Sequence, residues 1–195
     1  MSKINNFQDF HPRSRSEWRE WLTENHAKLT GIWFVYFKKH TGKPRVTYDE
    51  AVEEALCFGW IDSLPRKFDG ERSKLLFTTR KPKSVWSKPN KLRVEKLIRE
   101  GLMTEGGLAK IEAAKRNGSW NALDASDNLE IPKDLAKAFE VNKTAEQNFT
   151  AFSDSVKRGI LYWIMSAKRD ETRAMRIEKT ISMAKRNKRA NFDKD

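Results

Sequence analysis

The segment that most constrains the fold is a run of six consecutive apolar or aromatic residues, Ile32-Trp33-Phe34-Val35-Tyr36-Phe37. Such a run, rich in β-branched and aromatic side chains, is typical of a strand that is covered on both faces. It is far shorter than the roughly 18 or more apolar residues needed to cross a bilayer, and the apolar run at residues 160–165 is no longer. We therefore expect a sheet with helices packed on it and no membrane insertion.

Two capping boxes predict helices on either side of this strand. The first is Ser14 with Glu17, at the start of a helix over residues 15–27. The second is Thr47 with Glu50, at the start of a helix whose first turns are acidic and therefore complement the helix dipole.

The later patterns predict two more strands and then helices only. Residues 60–64 and 73–79 are interpreted as strands joined by a turn at residues 68–70, which gives a small antiparallel sheet. Apolar residues at helical spacing predict helices over residues 87–101, 105–116, 132–141, 144–152, 153–167 and 170–188. The predicted fold class is α+β, with a small antiparallel sheet packed with helices and an all-helical C-terminal subdomain.

Composition along the chain predicts its division into domains. Residues 1–120 form the α+β domain, and residues 121–131, which lack periodicity and are rich in Asp, Asn, Ser and Ala, are interpreted as a linker. Residues 132–188 are predicted to form the helical subdomain. The polar residues 189–195 are predicted to be a frayed tail.

The positive charge is concentrated in the middle of the chain. The net charge is +12, and residues 71–120 contribute +8 of it with 13 basic and 5 acidic residues. Such a block attracts nucleic acid, anionic lipid, an acidic protein partner or another anionic ligand, although it is also typical of a solvated face. A single cysteine and an N-terminus without an apolar signal stretch predict a cytoplasmic protein.

The best candidate site is centred on Asp62. If residues 60–64 are a strand, Asp62 lies on the same face as Trp60, and a carboxylate beside an indole needs a partner. Arg66 and Arg80 are candidates, because a guanidinium can bind a carboxylate and stack on an aromatic ring. Two interpretations stay open here: an ion pair that holds the sheet to residues 82–90, and a ligand contact or general base in a cleft.

The loop at residues 80–90 contains two prolines and many hydrogen-bond donors. Trp86 can fill the core or stack on a ligand, and Ser87 can cap a helix or contact the same ligand. The predicted ligand-binding residues, called the candidate set below, are Trp60, Asp62, Arg66, Arg80, Trp86, Ser87 and Asn90.

No catalytic residue, cofactor or metal site is predicted. Cys57 lies near a helix C-terminus, where the dipole disfavours a thiolate, so a buried and inert thiol is expected. The three histidines His11, His26 and His40 fit no metal-binding spacing. The common nucleotide-binding, hydrolase and zinc motifs are absent from the sequence.

Several strings resemble one bacterial family. They are residues 54–62, Arg80, Ser84, Trp86-Ser87, Asn90, residues 100–103, Gly107-Leu108, residues 166–169, residues 171–173 and residues 176–179. In these residues the sequence resembles the YdeI/OmpD-associated family, also called bacteriocin-protection proteins. The resemblance covers nearly the whole chain. The resemblance implies a role in envelope stress or peptide resistance, without an assigned activity or catalytic residues.

Three functions are consistent with these patterns. The first is a non-enzymatic stress or bacteriocin-protection protein that binds an anionic ligand or partner near the candidate set. The second is a nucleic-acid-binding protein in which Phe77 and Trp86 form a stacking platform among the mid-chain cations. The third is an enzyme of unassigned type around Cys57, Asp62 and Arg80.

Overall fold

The computed structural model describes residues 6–194, and the chain consists of two compact units. The first unit ends at Asn121 and the second begins at Ala122. The first contains a sheet with helices, and the described residues of the second form helices without strands, which confirms the predicted α+β class. Residues 1–5, which belong to the segment expected to lack a secretion signal, lie outside the described residues.

The sheet of the N-terminal unit has four strands in the order β1-β2-β4-β3. Strand β1 pairs in parallel with β2, whereas β2 with β4 and β3 with β4 are antiparallel. The bounds are β1 Asp9–Phe10, β2 Gly31–Phe37, β3 Trp60–Lys67 and β4 Arg72–Thr79. The three long strands lie where the sequence predicts strands, and β3 extends three residues further.

A register shift interrupts the pairing of β3 with β4. Asp62 is opposite Phe77 and Pro65 is opposite Leu75, so β3 has one extra residue between these pairs. A bulge of this kind bends the strand and changes the direction of nearby side chains. Asp62 is therefore the last regularly paired residue before the bend.

The helices of the N-terminal unit are α1 Arg15–Asn25, α2 Tyr48–Cys57, α3 Lys88–Arg99 and α4 Glu105–Arg116. The Thr47 and Glu50 capping box is confirmed, with both reciprocal hydrogen bonds present. The Ser14 box is only half formed. Ser14 accepts from the backbone N–H of Glu17, but the Glu17 carboxylate accepts from the backbone N–H of Arg13, one residue further back than the motif requires.

Helix α4 begins against the last residue of α2. The Thr104 hydroxyl and its backbone N–H both donate to the carbonyl oxygen of Cys57, at 2.6 and 3.1 Å. Gly107 makes this approach feasible, because a Cβ atom there would lie 2.2 Å from the same oxygen. The core beneath contains side chains from α1, α2, α3, α4 and the sheet, among them Trp18, Leu56 and Phe77.

The C-terminal unit consists of α5 Asp124–Asp127, α6 Lys133–Glu140, α7 Lys143–Ala151, α8 Asp154–Met165 and α9 Asp170–Lys185. Its separate core includes Leu135, Phe139, Phe149 and Ile160. Two details differ from the sequence predictions. The segment predicted as a linker contains α5, and the segment predicted as a frayed tail contains Ala190, which is buried in the core.

None of the helices in the described part of the chain has the length and apolarity required to cross a bilayer.

Candidate anion site around Arg80

Arg80 follows the last residue of β4 and points into the N-terminal unit. Its backbone N–H donates to the carbonyl of Gly59, at the start of β3, and its side chain is only 2% exposed. The guanidinium lies 3.6 Å from the centre of the Trp86 ring, and Nη2 donates to the carbonyl of Val85 at 2.5 Å. The side chain thus holds the loop after β4 by stacking and by one hydrogen bond.

Three buried donor nitrogens of this stacked pair have no hydrogen-bond partner. They are Nε and Nη1 of Arg80 and the indole Nε1 of Trp86. A buried donor without an acceptor costs about 1–3 kcal/mol, and more when the group is charged. Burial lowers the pKa of Arg80 to about 10, and the negative charge of Asp62 acts in the opposite direction by raising it. The guanidinium therefore remains charged at neutral pH. The site therefore combines a buried positive charge with unused donors.

Asp62 does not form the predicted ion pair with Arg80. Its Oδ2 accepts a hydrogen bond from the hydroxyl of Tyr48 at 3.0 Å, and Asp62 acts on Arg80 only through space. Burial, followed by the charge of Asp62, raises the pKa of Tyr48 to about 12, so the phenol keeps its proton and donates. The interpretation of Asp62 as a clamp on residues 82–90 is wrong, and Arg80 itself holds that loop.

The rest of the candidate set is divided between this site and other positions. Trp60 is buried in the core and donates from Nε1 to the carbonyl of His26. Arg66 stacks over Trp33, beyond the β3 bulge. Within the candidate set, Arg80 is in direct contact with Trp86, and the charge of Asp62 acts on Arg80 at longer range.

Ser87 and Asn90 belong to the start of α3. Ser87 occupies the N-cap position, as predicted, but its side chain makes no capping hydrogen bond. The Asn90 amide oxygen accepts from Arg93, which also pairs with Asp49. Asn90 therefore has a partner that connects α3 to the start of α2.

Two aromatic residues outside the candidate set complete the surroundings. Tyr48 is the hydrogen-bond partner of Asp62, and the ring of Trp120 lies 4.9 Å from that of Trp86. Lys91 and Lys115 both lie over the Trp120 ring. Neither aromatic residue is marked by a periodic pattern, because both contacts connect segments that are far apart in the chain.

A network of buried glutamates was also missed by sequence reasoning. Glu54 is 2% exposed and accepts from Arg15 at 2.6 Å and from Arg19 at 2.7 Å. Glu53 pairs with Arg15 and with Lys96. These pairs connect α1, α2 and α3. The spacing of Arg15 and Arg19, which places both on one helix face, was the available signal.

The structure removes the basis of two alternative mechanisms. Phe77 and Trp86 are both buried, at 0% and 1% exposure, so they do not form an open stacking platform for bases. Cys57 is also fully buried, and desolvation raises the pKa of its thiol to about 11, which is incompatible with an activated nucleophile.

We expect the Cys57 thiol to resist alkylation in the folded protein. Iodoacetamide at pH 8 should modify it only as fast as the N-terminal unit opens, because the thiol is buried and protonated. Mass spectrometry of the time course, with and without 6 M guanidinium, measures this protection. Modification of the native chain at the rate of the unfolded chain would contradict it.

Comparison with known families assigns the two parts of the chain separately. Residues 10–110 match the family described as a domain of unknown function, DUF8412. Residues 128–187 match the family described as "Bacteriocin-protection, YdeI or OmpD-Associated". Searches of curated proteins and of solved structures found no significant match.

These matches confirm the YdeI/OmpD-associated resemblance for the C-terminal strings. The N-terminal strings, including the one that contains Asp62, lie in the part matched by the domain of unknown function. The chain therefore belongs to the DUF8412 family, and residues 128–187 of its C-terminal unit are similar to the YdeI/OmpD-associated family.

Proposed function

We propose that this chain is a non-enzymatic, cytoplasmic protein of the bacteriocin-protection type that binds an oxyanion group at Arg80 and Trp86. The protective role is extended to the chain from the printed description of the family that residues 128–187 match. The ligand is a carboxylate or phosphate group, carried by a small molecule or by an acidic protein. One observation carries the proposal: a buried, charged guanidinium with two donor nitrogens that have no acceptor.

An oxyanion supplies the hydrogen-bond acceptors and the negative charge that this site lacks. Its oxygens accept hydrogen bonds from Nε and Nη1 of Arg80 and from Nε1 of Trp86, and its charge balances the guanidinium. Hydrogen bonds between ionised groups are about twice as strong as neutral ones. Exposed Lys81, Lys83 and Lys88 surround the loop and raise the local concentration of anions through their long-range field.

The loop that covers the donors must shift to admit the ligand. Val85 and Trp86 lie directly on the guanidinium. The same loop is held at Pro82, whose carbonyl accepts from Asn117 at 2.7 Å and from the Ser119 hydroxyl at 3.2 Å. We infer that the Pro82 contacts form the fixed end and that the segment from residue 83 to residue 86 opens.

Replacing Arg80 by methionine tests the proposal. Methionine retains contact with the indole but removes the charge and the unused donors. In anion-poor buffer, the free energy of unfolding of the variant should therefore be at most about 1 kcal/mol lower than that of the wild type, and it can be higher. For the wild type, Tm should rise with phosphate or acetate, because a ligand at about 100 times its Kd adds about 2.7 kcal/mol. The variant should lose this rise.

Lys83→Met is the matched control, because it removes one charge from an exposed position on the same loop. It should retain the anion-dependent rise in Tm. In NMR spectra, the indole N–H signal of Trp86, assigned with Trp86→Phe, should shift during the phosphate titration. If both variants lost the rise in Tm equally, the anions would act only by screening the net charge. If Arg80→Met lowered the free energy of unfolding by about 3–5 kcal/mol, the Arg80 charge would serve the stability of the fold. Either result would overturn the proposal.

A further inference from the structure

The C-terminal unit has an open groove of about 790 Å³ between α6 and α9. On α9 the groove is lined at Asp170, Ala174, Ile177, Ile181 and Lys185, a spacing of three or four residues that defines one face of the helix. The other wall is the outer face of α6 and the two residues that follow it. The groove therefore runs along the whole length of α9.

The floor of the groove is apolar and partly open to solvent. Val141 is 82% exposed, and beside it lie Ile177, Ile181 and the small side chains of Ala138 and Ala174. Exposed apolar surface that is bordered by polar residues is typical of an interaction site. Val141 and Ile177, which both line the groove, each provide apolar surface for an aliphatic side chain.

The dimensions of the groove suit one face of a helix. The 16 residues of α9 are about 22 Å from first to last at ~1.5 Å per residue. A volume of about 790 Å³ is less than a whole helix of this length and ~10–12 Å in diameter would fill. The groove can thus accept one row of side chains from a helix that lies along it.

The charges in the groove favour a basic partner. Asp134 and Arg173 neutralise each other through two hydrogen bonds, at 2.6 and 3.0 Å. Asp170 and Glu178 also line the groove, eight positions apart on α9 and hence about 12 Å apart along the helix axis. Lys185 is the one further cation among the lining residues. The groove is therefore acidic on balance, in a chain whose net charge is +12.

We propose that this groove binds one face of a cationic amphipathic helix from a partner. Two basic residues of that helix, seven or eight positions apart, face Asp170 and Glu178, and an aliphatic residue between them packs on Val141 and Ile177. This inference is independent of the anion site, because it concerns the other unit and a ligand of opposite charge.

The probe is a labelled 18-residue helical peptide of Leu and Ala with Lys at positions 4 and 11. Its binding to the full-length protein is measured by fluorescence anisotropy at about 0.15 M salt, where the Debye length is about 8 Å. Val141→Asp and the double variant Asp170→Lys with Glu178→Lys should each weaken binding at least tenfold. A second peptide, with Glu in place of both Lys residues, should bind the double variant more tightly than it binds the wild type.

Glu171→Lys is the control, since Glu171 is exposed on the same helix but does not line the groove. It should leave binding within twofold, and circular dichroism should show that every variant is folded. Equal weakening by Glu171→Lys, or no effect of Val141→Asp, would overturn the proposal. Light scattering tests whether a second copy of the chain covers the groove. If the wild type were a dimer and Val141→Asp a monomer, the second copy would be the occupant, and the proposal would be overturned.

Discussion

Replacing Gly107 by alanine is expected to lower the free energy of unfolding of the N-terminal unit by roughly 3 kcal/mol or more. The added Cβ would lie 2.2 Å from the carbonyl oxygen of Cys57, and this atom belongs to backbone that cannot rotate away. Alanine is intrinsically better than glycine in a helix by about 1 kcal/mol, so the steric term must exceed that gain. Urea unfolding followed by tryptophan fluorescence measures the change, because six of the seven tryptophans lie in the N-terminal unit.

The adjacent Gly106 is the matched control. A Cβ at Gly106 would meet the His26 ring at 3.4 and 3.5 Å, which is ordinary contact. Gly106→Ala should therefore leave stability within about 1 kcal/mol. If both substitutions had the same small effect on stability, the result would contradict the close approach of α4 to the carbonyl oxygen of Cys57.

Replacing Glu54 by glutamine is expected to cost about 2–3 kcal/mol. Glutamine retains the size of the side chain but has one acceptor oxygen instead of two, and it places an amide N–H₂ against the guanidinium groups of Arg15 and Arg19. Both arginines are about one third exposed, so water can solvate them in part, and this limits the loss. The same urea titration measures the effect.

Glu112→Gln is the comparison for Glu54→Gln. Glu112 pairs with Lys115 at 3.1 Å, but both side chains are more than half exposed. Its substitution should change stability by less than about 0.5 kcal/mol. Equal effects at Glu54 and Glu112 would mean that the buried network adds no more than a surface ion pair.

The features predicted correctly from sequence depend on local interactions. The Thr47 and Glu50 capping box connects residues three positions apart, and the helix at residues 105–116 was predicted with its observed bounds. Strand β1 was missed because it has two residues and no periodicity. It forms only because Asp9 and Phe10 pair with Trp33 and Phe34, far along the chain.

The part of the site that was predicted from sequence also depends on residues that are close in the chain. Arg80 and Trp86 are six positions apart in one loop, so their association is nearly local. The choice of partner for Asp62 depends instead on how α2 packs beside β3, which places the Tyr48 hydroxyl within reach. Glu54 was interpreted as a residue that complements the helix dipole, and its burial follows from the packing of α1 on α2.

The bulge in β3 has a consequence for association between chains. An outer strand exposes backbone N–H and C=O groups that can pair with a strand from another molecule. Here one outer strand, β1, has only two residues, and the other, β3, contains a bulge followed by Pro65, which cannot donate. Both outer strands are therefore poor templates for a further strand. The β3 edge of the sheet therefore resists the addition of further strands that builds fibres, and β2, whose apolar run is of the kind found in such fibres, is paired with β4 along its whole length.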